Sequence, residues 1–107
     1  MAYFALFYEL VDDYVNKRMP FRAAHFGLAR ESEARGELVM AGAFSDPADR
    51  ALLVFRAGDR MVAEAFAEND PYVINGLVRK WEVRPWTVVL GGDPAEPGPP
   101  PPAPAGR

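Results

Sequence analysis

Acid–base chemistry in this chain has one obvious vehicle, because the sequence contains a single histidine, His25, and no cysteine. Imidazole is the side chain that can both take up and return a proton near neutral pH. It becomes a directed base when a carboxylate holds one ring nitrogen, which fixes the tautomer and leaves the other nitrogen to accept. His25 lies in "PFRAAHFGLARE", among alanines, a leucine and phenylalanines. Two readings stand at this level: a packed helix histidine satisfied by a neighbour, or the working group of a small enzyme. Which holds depends on whether the fold brings a carboxylate to the ring.

Other side chains offer supporting roles, each with an ordinary alternative. Arg22 precedes His25 by three residues on the same helix surface, where it would hold an anionic substrate or simply be solvated. Ser45 and Asp46 would line a pocket mouth, although "SDP" is also a plain turn sequence. Tyr72 would close one wall and offer its hydroxyl, or serve as a core aromatic. Trp81 and Trp86 suit a core or a subunit interface better than ligand stacking. Gly76 in "NGL" most simply ends a turn. One histidine without cysteine is a poor donor set for zinc or iron, so no metal is expected. No phosphate-cradling glycine loop and no nucleophile elbow is present in the sequence. Proton transfer without a cofactor is then the most economical chemistry.

The elements that must position these groups follow from the hydrophobic pattern. Ala2 to Leu10 reads as a strand with two apolar faces, Phe4, Leu6 and Tyr8 on one and Tyr3, Ala5 and Phe7 on the other. Pro20 suits a first helical turn, and Phe21, Ala24, Leu28 and Ser32 form a helix-spaced stripe that Gly36 ends. Tyr14 to Met19 forms an earlier turn, kinked at Pro20. Glu37 to Ala41 and Ala51 to Arg56 read as strands. Asp59 is a candidate N-cap for a second helix, which carries Val62, Ala65 and Phe66 inward and stops before Pro71. "DPYVINGL" is a turn or a single helical turn, and Lys80 to Leu90 is the last strand. Pro85 cannot donate to a ladder, which places that strand at a sheet edge.

The order β-α-β-β-α-β predicts an α+β fold, the ferredoxin-like plait with antiparallel strands in the order 4-1-3-2. Its two helices run antiparallel over the sheet, so the start of the first lies beside the end of the second. That geometry can bring His25 to Asp70, which directly follows the second helix. Two helices cover one face only, and the apolar second face predicts a homodimer formed sheet to sheet.

Four segments in order, "RAAH", "RGELVMAGAFSD", "ENDPYVINGL" and "VRPW", resemble the pattern of the YCII-related (YciI-like) family, within the dimeric α+β barrel group. The resemblance spans Ala2 to Gly91. It implies a dimer of ferredoxin-like protomers with a pocket near the helix ends, and a His–Asp catalytic pair that maps onto His25 and Asp70. It also implies lyase-type elimination or isomerisation of a small, ring-shaped, oxygenated substrate. Where the family loop often has proline after "AG", this chain has Ala43.

The bulk numbers set the frame. A chain of 107 residues is one domain, read here as a folded unit over residues 1–91 and a disordered tail over residues 92–107. Seven of the eleven prolines fall in "GGDPAEPGPPPPAPAGR", which has no large apolar residue to bury. The net charge of −3, with basic residues scattered, argues against nucleic acid as a partner. The apolar N-terminus lacks a basic leader region before Asp12 and Asp13, and no run reaches membrane-spanning length. A cytoplasmic location is expected, with a small molecule as substrate and no cofactor. The rival is a non-catalytic binding or accessory dimer, whose proline tail docks onto a partner.

Overall fold

The computed structural model describes residues 1–92. The expected proline-rich tail, Gly92 apart, lies outside the described residues. The elements are β1 (Ala2–Leu10), α1 (Tyr14–Lys17), a 3-10 turn (Met19–Phe21), α2 (Arg22–Ala34), β2 (Leu38–Ala43), β3 (Arg50–Ala57), α3 (Met61–Asn69), α4 (Pro71–Ile74) and β4 (Val78–Trp86). The strands form one antiparallel sheet in the order β2-β3-β1-β4, which is the ferredoxin-like arrangement counted from its other edge. β4 is an edge strand, so the missing amide of Pro85 breaks no interior ladder.

Register decides which side chains meet the helices. Phe4 stands opposite Phe55, Leu6 opposite Leu53 and Val83, and Tyr8 opposite Ala51 and Trp81. These residues form the core with Ala63, Phe66 and Ala67 of α3 and with Tyr14, Tyr72 and Leu77. Alternation puts Tyr3, Ala5 and Phe7 on the opposite face, beside Val54 and Leu52 of β3. Ala5 and Val54 are buried there, whereas Phe7, Met40 and Trp86 are exposed. Gly92 returns to the same region, where a Cβ would stand 3.4 Å from the Tyr3 ring.

Helix ends follow local chemistry. Gly36 (φ 78°) closes α2, with Gly36 N–H on the Glu33 carbonyl and Glu37 N–H on the Ser32 carbonyl. Gly76 (φ 77°) closes α4 the same way, onto Val73 and Tyr72. Both are Schellman ends, which need a left-handed residue and hence favour glycine. At the start of α3 the N-cap is Arg60 rather than the expected Asp59, which stands one residue earlier and still satisfies the first turn by accepting the Met61 N–H at 2.7 Å.

Several expectations shift. Ala24 is exposed and His25 takes the inward position, because a stripe through Phe21, Leu28, Ala29 and Ser32 leaves Ala24 a quarter-turn off its centre. Ala65 is likewise exposed, with Ala63 and Ala67 buried beside Phe66. β2 runs on to Ala43, where it pairs with Ala51. β4 starts at Val78 and ends at Trp86, because Trp86 already faces Tyr3 near the start of β1 and the strand has no partner beyond it.

Candidate functional site

Asp70 is where the site begins. It joins α3 to α4 in extended conformation (φ −70°, ψ 123°), followed by Pro71 at the first helical position. Its Oδ1 accepts the backbone N–H of Tyr72 at 2.9 Å, an N-cap bond that "DP" at a helix start favours. The same oxygen meets Nδ1 of His25 at 2.8 Å, and Oδ2 accepts the Tyr8 hydroxyl at 2.7 Å. Asp70 is fully buried, at 0% exposed. A carboxylate removed from water must be met by donors, and these three supply what water would.

That arrangement orients the imidazole in two ways. A carboxylate accepts and does not donate, so the bond assigns the ring proton to Nδ1 and leaves Nε2 as the acceptor. The ring lies flat on Tyr72, with centroids 3.8 Å apart and planes 6° apart. Tyr72 is itself placed by its N–H on Asp70, so one carboxylate fixes both the edge and the face of the ring. Tyr14 meets Tyr72 edge-on at 5.8 Å and completes the stack.

Both phenols stay neutral at ordinary pH. Burial raises the pKa of Tyr8 strongly, with the charge and hydrogen bond of Asp70 acting in the same direction. Tyr8 therefore remains a donor to Asp70. Tyr72 is pushed up to about 12, by burial first and then by Tyr14, with Arg22 and Arg18 pulling the other way.

In front of His25 is a cavity of about 190 Å³, between α1–α2 and the β2–β3 end of the sheet. Its origin is compositional. The helix-facing positions there are Ala43 opposite Ala51 and Ala41 opposite Leu53, three alanines to one leucine, whereas Leu38 opposite Phe55 fills the corresponding space further along. Small side chains leave the gap between sheet and helix unfilled. On the helix side, Tyr14, Arg18, Arg22, Phe26 and Tyr72 line the cavity with His25, and Tyr8 reaches it from β1.

The structure thus brings together His25, Asp70, Arg22 and Tyr72. Ser45 and Asp46 are exposed and do not line the cavity. The reason is the longer β2, which puts Ala41 to Ala43 at the opening and carries the following loop past it. Trp81 is half-buried against the core and Trp86 is exposed; neither lines the cavity. Sequence reasoning missed Tyr8, Tyr14 and Arg18. Tyr8 carried a usable signal, since a phenol on the inward face of a strand needs a polar partner. Arg18 stands four residues before Arg22, a spacing that shares a helix face, but the 3-10 turn between them obscures it. Among the described residues, no group of three or more His, Asp or Glu is placed to hold a metal ion.

Comparisons with known proteins agree with this architecture. The 5-chloro-2-hydroxyhydroquinone dehydrochlorinase of Burkholderia phenoliruptrix, solved in complex with 2,5-dihydroxybenzoquinone, superposes with a TM-score of 0.66 at 20% identity, over 78% of this chain and 92% of that one. A protein of Agrobacterium tumefaciens superposes with a TM-score of 0.54 at 16% identity, over 80% of this chain and 91% of its own. An antibiotic biosynthesis monooxygenase gives 0.51 at 13% identity, over 83% and 99%. At these identities the likeness is one of fold. No curated protein sequence matches the chain. The YCII-related domain model matches residues 1–87, nearly the whole of the described chain, and the protein belongs to that family.

Proposed function

We propose that this protein is a small-molecule enzyme working by proton transfer, with Nε2 of His25 as base and then as acid. The observation that carries the reading is the 2.8 Å bond from His25 Nδ1 to the buried Asp70, at the wall of a cavity. Asp70 holds the tautomer and stabilises the imidazolium that forms, as an orienting carboxylate does in other base systems. Nε2 takes a proton from an acidic C–H or O–H of the ligand. The electron pair of that bond then moves through the conjugated system, to expel a leaving group as its anion or to form a new double bond. In an isomerisation the imidazolium returns the proton at another atom; in an elimination it loses it to water. The neighbour from Burkholderia is named for removing hydrogen chloride from a chlorinated hydroxyhydroquinone. A lyase-type elimination or an isomerisation on a single-ring oxygenated molecule is the corresponding reaction here. A homodimer formed through the open sheet face belongs to the same reading, supported by the exposed Phe7, Met40 and Trp86.

The test follows the proton itself. The protein is incubated in deuterium oxide with a panel of single-ring phenols, hydroquinones and keto acids, and deuterium incorporation is followed by proton NMR. The wild type accelerates exchange in at least one of them, and His25→Asn lowers that rate by about 10²–10⁴-fold. An unchanged rate in the folded variant contradicts the mechanism and leaves a binding protein.

A further inference from the structure

The charge of the cavity wall runs against that of the molecule. The chain carries a net −3, yet the wall holds two arginines, Arg18 and Arg22, and no carboxylate side chain. Asp70 stands behind His25, fully buried, with both oxygens engaged. Ion pairs among the described residues engage Arg35, Arg60 and Arg79 with Glu37, Glu64 and Asp12; Arg18 and Arg22 belong to none of them. The Arg18 Nε is buried and has no hydrogen-bond partner. Buried polar groups without partners are rare, because each forfeits its hydration. The Arg18 guanidinium lies 5.2 Å from the Tyr14 ring centre and that of Arg22 4.9 Å from the Phe26 ring centre. Ring contacts of this kind steady the planar groups but leave their N–H donors for something else.

We propose that Arg18 and Arg22 form an oxyanion-binding subsite, and that the ligand of this cavity is a single-ring organic anion, a carboxylate or a phenolate. This rests on the reading of the cavity as a substrate site and names the substrate class. The charge sits on the guanidiniums, and the ring fills the space above Ala41, Ala43 and Ala51. Size agrees: a cavity of about 150 Å³ admits benzene, and this one measures about 190 Å³. Planar forks of donors match the planar, delocalised charge of either anion, and a partly dry wall strengthens the attraction. Neutral molecules of the same shape would leave two positive charges unmatched. Selection for an anion therefore precedes any chemistry at His25.

Binding separates this inference from the mechanism. Benzoate, 4-nitrophenolate and benzamide are titrated calorimetrically into the full chain at low salt. At least one anion binds, benzamide binds about tenfold more weakly or not at all, and added salt weakens the anion. Benzoate binding alone assigns the subsite to carboxylates, nitrophenolate binding alone to phenolates. The double variant Arg18→Met, Arg22→Met, checked for native circular dichroism, loses about 10- to 100-fold in anion affinity, whereas Arg35→Met, an arginine outside the cavity, keeps it. Equal binding of benzamide and benzoate, binding of no anion in the millimolar range, or an unaltered affinity in the folded double variant overturns the proposal. Should the double variant fail to fold, the benzamide and salt comparisons on the wild type decide it. Tight anion binding without deuterium exchange would contradict the mechanism alone.

Discussion

Asp70 does three things at once: it caps α4, orients His25 and receives the Tyr8 hydroxyl. Asparagine caps a helix as well as aspartate does. Its oxygen can keep the Tyr72 and His25 bonds while the Tyr8 hydroxyl turns to accept from its nitrogen, but it has no charge with which to stabilise an imidazolium. Asp70→Asn should therefore cost more activity than stability, with deuterium exchange falling by about 10²–10⁴-fold; exchange at the wild-type rate would remove Asp70 from the mechanism. Tyr8→Phe leaves Asp70 Oδ2 without its donor, and urea unfolding should report a loss of about 1–3 kcal/mol. An unchanged midpoint would mean water replaces the phenol. The raised phenol pKa values also fix a pH dependence. Folded Tyr72 holds its proton up to about 12 and Tyr8 higher still, while unfolded phenols ionise near 10. The folded state then binds more protons than the unfolded one above that point, so stability is intact below about pH 10 and falls as pH rises toward 12. Denaturation midpoints measured across that range check it; a flat profile contradicts the burial of these groups.

At the scale of elements, two glycine-closed helices give a matched comparison. Gly36 and Gly76 share a left-handed conformation, and an added Cβ would meet no atom within 4 Å at either. Alanine at each should cost about 1–2 kcal/mol from backbone strain alone. Gly76 closes the helix that carries Tyr72 under the imidazole, so Gly76→Ala should also weaken anion binding or exchange, whereas Gly36→Ala should change stability only. Thermal melts read beside an activity or binding assay separate the two; equal functional effects would mean that α4 does not position the site. The elements themselves were legible in the sequence. Apolar runs, Pro20, Pro71 and the two glycines mark most boundaries within a few residues. Strand ends were less so, because they depend on where a partner strand begins, as Trp86 against Tyr3 shows. The cavity was hidden for a related reason. Ala41, Ala43 and Ala51 look unremarkable until register places them together on one face.

For the whole molecule, the strand order followed from connectivity, since β-α-β-β-α-β closes on few topologies; the same connectivity allowed His25 to reach Asp70, and the family resemblance singled out that pair. Arg18 did not follow, because its place on the wall depends on how α1 and the 3-10 turn bend into α2. The sheet face opposite the helices keeps Phe7 at 39% and Trp86 at 49% exposed in the single chain. A domain of this size gains from covering such a face. Sedimentation equilibrium should therefore report a dimer, and Phe7→Asp should convert it to a folded monomer. A monomeric wild type at high protein concentration would contradict that assembly.

The claim on which the rest depends is that Asp70 holds the His25 proton on Nδ1 and leaves Nε2 as the base. With one imidazole in the chain, long-range nitrogen–proton NMR on the 15N-labelled protein reads that tautomer from a single set of ring signals. In the neutral imidazole, Nδ1 should be protonated and Nε2 an unprotonated acceptor. A neutral ring with its proton on Nε2 would contradict that claim.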